Sequence, residues 1–132
     1  MHKKILIYGE NWQGTLPQLL YSDLTGRGIS TKIFDYTDIM PGIKNRNFID
    51  KVRRRLFYSR YVKRINKQFL KKINTAKPDV VIIAKGLHIS LKTLKIIRGT
   101  NTQLINWNPD DFFNMKNSNG VLIESLKFYD LI

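Results

Sequence analysis

At 132 residues and 42% hydrophobic content the chain can build one ordinary core and not two, so a single domain is expected. No cysteine is present for disulfides or thiolate metal sites, His2 and His88 are too isolated for a metal cluster, and no apolar run nears the roughly 20 residues of a bilayer-spanning helix. The formal charge of +13 excludes little but attracts nucleic acid, anionic lipid or phosphorylated small molecules, and the short apolar run after Met1-His2-Lys3-Lys4 predicts no signal peptide, which fits a cytoplasmic address.

Lys4 to Gly9 is a compact apolar run ended by glycine, predicting a strand buried on both faces of a parallel sheet. From Gly14 to about Thr25, Leu16, Leu19, Leu20 and Leu24 recur at helical spacing, with Pro17 tolerable in the first turn and Gly26-Arg27-Gly28 as the stop. Ser30 to Tyr36 alternates in the manner of an edge or near-edge strand, and Met40-Pro41-Gly42 marks a loop. Ile49, Val52, Leu56, Val62, Ile65, Phe69 and Ile73 predict one long amphipathic helix from about Asn47 to Asn74, kinked near Ser59. The stretch from Lys44 to Lys72 carries most of the charge: Lys44, Arg46, Lys51, Arg53, Arg54, Arg55, Arg60, Lys63, Arg64, Lys67, Lys71 and Lys72 are opposed only by Asp50, while the rest of the chain is nearly neutral.

Lys77-Pro78-Asp79 breaks that helix, and Val80 to Ala84 is the clearest fully buried strand. Ser90 can cap a helix carrying Leu91, Leu94 and Ile97 that Gly99 closes, Gln103 to Trp107 forms the next strand, and Asn108-Pro109-Asp110-Asp111 must turn. A short helix over about Ser118 to Lys127 precedes a fifth strand beginning at Tyr129. Alternating strands and helices predict an α/β, three-layer Rossmann-like parallel sheet of five strands, order 2-1-3-4-5, with helices on both faces and no internal repeat.

In such a sheet ligands gather beyond the carboxyl ends of the strands. That rule predicts that Trp12, Gly86 and Asp110 share one hollow. The loop Gly9-Glu10-Asn11-Trp12-Gln13-Gly14 allows close backbone approach and is expected to open a helix at Gly14 whose N–H groups favour an anion, but it matches neither the P-loop nor the GxGxxG pattern. A sharp turn with Trp12 packed as a lid is the structural alternative to Glu10 as a base or hydroxyl binder. Asp110 and Asp111 are base candidates or, alternatively, members of an Asx turn and helix cap beside Asn108. Lys85 beside Gly86 is a phosphate neutraliser or a solvated cation, and His88 is expected to cap or pack rather than catalyse. No Ser/His/Asp triad is readable. For the basic helix, with Phe57, Tyr58 and Tyr61 among its arginines, three readings stay open: a solvated cationic face, an anionic membrane surface met by Arg53, Arg54, Arg55, Arg60 and Arg64, and nucleic acid as the lesser partner.

Taken together, Gly9-Glu10-Asn11-Trp12-Gln13-Gly14, Phe34-Asp35-Tyr36, Pro41-Gly42-Ile43-Lys44-Asn45, Lys77-Pro78-Asp79-Val80-Val81 with Lys85-Gly86, and Trp107-Asn108-Pro109-Asp110-Asp111 resemble the amino-terminal region of the spore-maturation-type, CgeB-like glycosyltransferases. The resemblance implies a GT-B architecture, two Rossmann-like domains that transfer sugar from a nucleotide-activated donor to an acceptor without an obligatory metal. It implies that Gly9 to Gly14 and Asn108 to Asp111 line the acceptor side, with Glu10, Asp110 or Asp111 as base. The nucleotide-sugar donor is expected on a carboxyl-terminal partner domain that these residues do not include, so no tightly bound cofactor is expected here and the chain alone is expected to be inactive. The rival is a stand-alone flavodoxin-like adaptor that recognises an anionic partner and catalyses nothing.

Overall fold

The structure, a computed structural model, describes residues 2–110 and 120–132. Four parallel strands, β1 (Lys4–Tyr8), β2 (Ser30–Phe34), β3 (Val80–Ala84) and β4 (Gln103–Trp107), form one sheet in the order β2-β1-β3-β4. Ile7 lies opposite Ile33 on one side and Ile82 on the other, and Ile82 opposite Ile105. The two central strands carry the unbroken apolar runs, because each of their faces is covered. At the edge, β2 leaves Ser30 and Lys32 exposed, as its alternation predicts.

Among the described residues five α-helices accompany the sheet: α1 (Leu16–Gly26), α2 (Phe48–Leu56), α3 (Tyr58–Ala76), α4 (Leu91–Arg98) and α5 (Gly120–Ser125). The pleat decides which strand residues each helix meets. Leu6 and Tyr8 share a face with Val81, Ile83 and Leu104, and this face packs against Ile65, Phe69 and Ile73 of α3 and Leu94 and Ile97 of α4. The opposite face carries Ile7, and there a Cβ built on Gly9 would stand 2.5 Å from Pro17 Cγ, which places α1 on that side. Tyr8 centres the larger core, its ring 4.9 Å from Phe69 and 5.2 Å from Tyr36. Burial pushes the Tyr8 phenol well above its usual range, so it stays protonated and donates to the Leu87 carbonyl at 2.6 Å. Ser90 caps α4 by accepting the Thr93 N–H at 3.1 Å, and Gly99 ends it, as the sequence predicts. Among the described residues no helix is long and apolar enough to cross a membrane.

Three expectations change. The fifth strand is a single parallel bridge between Ile105 and Leu131. Asp130 directs its carboxylate to the Leu104 N–H at 2.8 Å and also pairs with Arg98, so a side chain takes the donor that a continuing strand's carbonyl would use. Helix α1 begins at Leu16 rather than Gly14, since Gly14 takes a left-handed φ of 89° in the preceding turn.

The long basic helix is two helices, separated at Phe57, whose φ of −116° and ψ of 23° leave the helical region. At 100° per residue Ile49, Val52 and Leu56 point roughly 130° away from Val62, Ile65, Phe69 and Ile73, so one straight helix could not bury both sets. The break lets α3 bury its set, whereas α2 buries none of its residues. Phe69→Ala should therefore cost about 3–5 kcal/mol. Ile49→Ala and Leu56→Ala should each stay within about 0.5 kcal/mol of the parent. Urea unfolding of the three variants measures both, and equal losses would contradict the division of the stripe.

Candidate functional site

Strands β1 and β3 are neighbours, yet the chain leaves them toward opposite faces, to α1 and to α4. Such a reversal opens a crevice beyond the strand ends. A hollow of about 200 Å³ lies there, lined by Gly9 and Glu10 after β1, Thr15 to Pro17 at the start of α1, Tyr36, Ala84, Lys85 and Leu87 at the end of β3, and Trp107 and Pro109 at the end of β4.

Glu10 is positioned from three sides. Gly9 lets Pro17 approach, and its N–H still bonds to the Phe34 carbonyl at 3.1 Å, extending the sheet by one residue. The Thr15 hydroxyl lies 2.7 Å from the Glu10 carbonyl and 2.9 Å from that of Trp12, which closes the loop on itself instead of capping α1. The Tyr36 hydroxyl then donates to Glu10 Oε1 at 2.8 Å. Burial first, and Glu10 second, push the Tyr36 phenol far above its ordinary value, so it remains a donor. Asp35 fastens the neighbouring turn, accepting from the Asn11 N–H at 3.3 Å and the Thr37 N–H at 2.9 Å while pairing with Lys44 at 3.1 Å.

Across the hollow Lys85 pairs with Asp110, and Asn108 Oδ1 accepts the Asp110 N–H at 3.0 Å, the Asx turn among the sequence alternatives. Asp111 lies outside the described residues. Lys85 is thus matched by a carboxylate, and Pro17 removes one N–H from the first turn of α1. With Glu10 at the same end, the hollow disfavours a phosphate and offers carboxylate, phenol and ammonium groups beside the Trp107 ring. That mixture suits a neutral ligand bearing hydroxyls: the ring covers its C–H surface and the polar groups bond its O–H groups.

The expected meeting of Trp12, Gly86 and Asp110 is only partly realised. Asp110 reaches the hollow's rim through Lys85, but Trp12, Asn11, Gln13, Gly14 and Asn108 are not part of its lining. Gly86 and His88 turn into a separate recess of about 230 Å³ with Tyr58, Val62, Ser90 and Val121. Left-handed backbone explains the turn: Lys85, Gly86 and His88 have φ of 63°, 88° and 67°. Asn66 of α3 holds that loop, donating to the His88 carbonyl at 2.8 Å and accepting the Ser90 N–H at 2.9 Å. Nor do Arg53, Arg54, Arg55, Arg60 and Arg64 reach the hollow. Tyr36, Leu87 and Trp107 do, although none of them is a candidate site residue in the sequence; the available signal was their place just past, or last in, a strand.

Comparison with known proteins gives no match to a family model, to a curated protein or to a solved structure. Among the described residues no group of three His, Cys, Asp or Glu side chains could hold a metal ion.

His88 serves packing and hydrogen bonding. Its Nδ1 lies 2.9 Å from the Tyr58 hydroxyl and its ring contacts Tyr36 edge-on. Burial, then the Arg54 charge, lower its pKa below 6.5, so the neutral ring is favoured in the fold. The unfolded chain binds the proton more readily, and stability is therefore lost as pH falls below 6.5 toward the depressed folded value. The melting temperature should drop from pH 7.5 to pH 5.5, and His88→Asn, which tolerates the left-handed backbone, should flatten that drop. An equally steep fall in the variant would assign the pH response to other groups.

Proposed function

We propose that this chain is the acceptor-binding domain of a GT-B-type glycosyltransferase, and that the hollow between β1 and β3 holds a neutral, hydroxyl-rich acceptor. The observation that carries the reading is the Glu10 carboxylate, fixed by Tyr36 in a crevice walled by Trp107. The CgeB-like resemblance of the Glu10 and Asp110 loops supports it independently of the geometry. The nucleotide-sugar donor belongs to a second domain facing this one.

In that reaction the acceptor oxygen bonds to the anomeric carbon of the donor sugar as the bond from that carbon to the nucleotide phosphate breaks. The acceptor's hydroxyl proton passes to a carboxylate. Glu10 is the favoured base because its only close side-chain partner among the described residues is a phenol donor, whereas Asp110 is held by the Lys85 ammonium. Tyr36 positions Glu10, Lys85 positions Asp110, and Trp107 supplies the stacking surface.

Two measurements test this. In the enzyme assembled with its donor domain, Glu10→Gln should lower turnover by about 10²–10⁴-fold while acceptor affinity changes little. In the chain alone, neutral oligosaccharides should give saturation-transfer NMR signals that Trp107→Ala abolishes. Unchanged turnover in Glu10→Gln removes the carboxylate from the mechanism, and signals that survive Trp107→Ala move the acceptor elsewhere.

A further inference from the structure

Helix α2 presents its apolar residues to water. Phe48 is 80% exposed, Ile49 62%, Val52 38% and Leu56 70%, and at 100° per residue these four fall within an arc of about 100° on one side of the helix. The helix is attached to the protein by its other side. Arg54, half-buried, donates to the Gly42 carbonyl at 3.3 Å, and a Cβ built on Gly42 would lie 3.2 Å from the Asp50 carbonyl carbon and the Lys51 nitrogen. The polar face thus touches the fold and the apolar face is free, the reverse of an ordinary surface helix. Packing among the described residues gives no reason for that orientation.

The surrounding charge says what can cover the face. Arg55 and Arg53 lie just outside the two edges of the apolar arc, and Arg60 stacks over the Phe57 ring at 5.5 Å. A second copy of the chain would bring two such cationic segments together, each with Asp50 as its single acid between Lys44 and Lys72. Nucleic acid would pair with the arginines but leave Phe48, Ile49 and Leu56 in water. An anionic bilayer satisfies both sets: the apolar arc enters the boundary between headgroups and acyl chains, and Arg53 and Arg55 reach back to lipid phosphates along their apolar stems.

We propose that α2 is an interfacial membrane helix that seats this domain on an anionic lipid surface through Phe48, Ile49, Val52 and Leu56, with Arg53 and Arg55 at the headgroups. This binding does not depend on what occupies the hollow, so the two readings fail separately. The 132-residue chain is sedimented with vesicles of phosphatidylcholine mixed with phosphatidylglycerol, and with vesicles of phosphatidylcholine alone. It should bind the mixed vesicles strongly and the neutral ones weakly. Phe48→Ser with Leu56→Ser should reduce the partition constant at least about tenfold, since either side chain contributes that much on burial. Both positions are exposed, so circular dichroism and melting temperature should not move. Arg53→Gln with Arg55→Gln, which spares the Arg54 tether, should weaken binding and flatten its salt dependence.

Failure of the parent chain to bind either vesicle overturns the proposal, as does full retention of binding by the Phe48/Leu56 variant. Oligonucleotide binding that outcompetes the vesicles and ignores the Phe48/Leu56 change assigns the cations to nucleic acid. A vesicle-free dimer, seen by analytical ultracentrifugation and dissolved by that variant, assigns the face to a second copy.

Discussion

The arrangement depends on two neighbouring parallel strands, β1 and β3, whose outgoing chains turn to opposite faces of the sheet. Their backbones hydrogen-bond as far as Tyr8 and Ile83 and then must part, so whatever follows them frames a gap. Gly9 sets how tight that gap is, because a side chain there would occupy the space of Pro17 and force α1 outward. The wall that carries Glu10 therefore rests on a residue with no side chain.

Loops around the gap are held by polar tethers from the core and the strand ends. Tyr8, inside the core, reaches the Leu87 carbonyl, Asn66 of α3 bonds the His88 carbonyl and the Ser90 N–H on either side of Ile89, and Trp107 accepts the Lys85 N–H through its carbonyl at 3.2 Å. Left-handed Lys85 and His88 each cost on the order of 1–3 kcal/mol of backbone strain, comparable to what one or two such bonds return. The strain directs Lys85 toward Asp110 and His88 toward Tyr58, splitting one loop between two recesses.

Charge and apolar surface are separated from this gap. In the hollow Lys85 is balanced by Asp110 and Glu10 is held by a phenol, while most of the chain's excess of +13 lies on α2 and α3. The side chains that line the hollow and the cations of the two helices are therefore different residues.

Local periodicity was enough, from sequence, for β3 and β4 to the residue, for α4 with its Ser90 cap and Gly99 stop, for β2 at an edge, and for the strand-end position of the Glu10, Lys85 and Asp110 loops. Each is decided by residues a few positions apart, which is why it can be read from the chain alone. What periodicity could not supply was decided by partners far away in sequence. The apolar stripe from Ile49 to Ile73 divides because only its second half meets Leu6, Tyr8 and Val81, and Tyr129 onward pairs at one bridge because Asp130 turns its carboxylate to β4. Trp107 and Tyr36 join the hollow, and Trp12 does not, because side-chain direction at a strand end follows from how α1 and the β3 loop pack against it, which the tertiary structure alone determines.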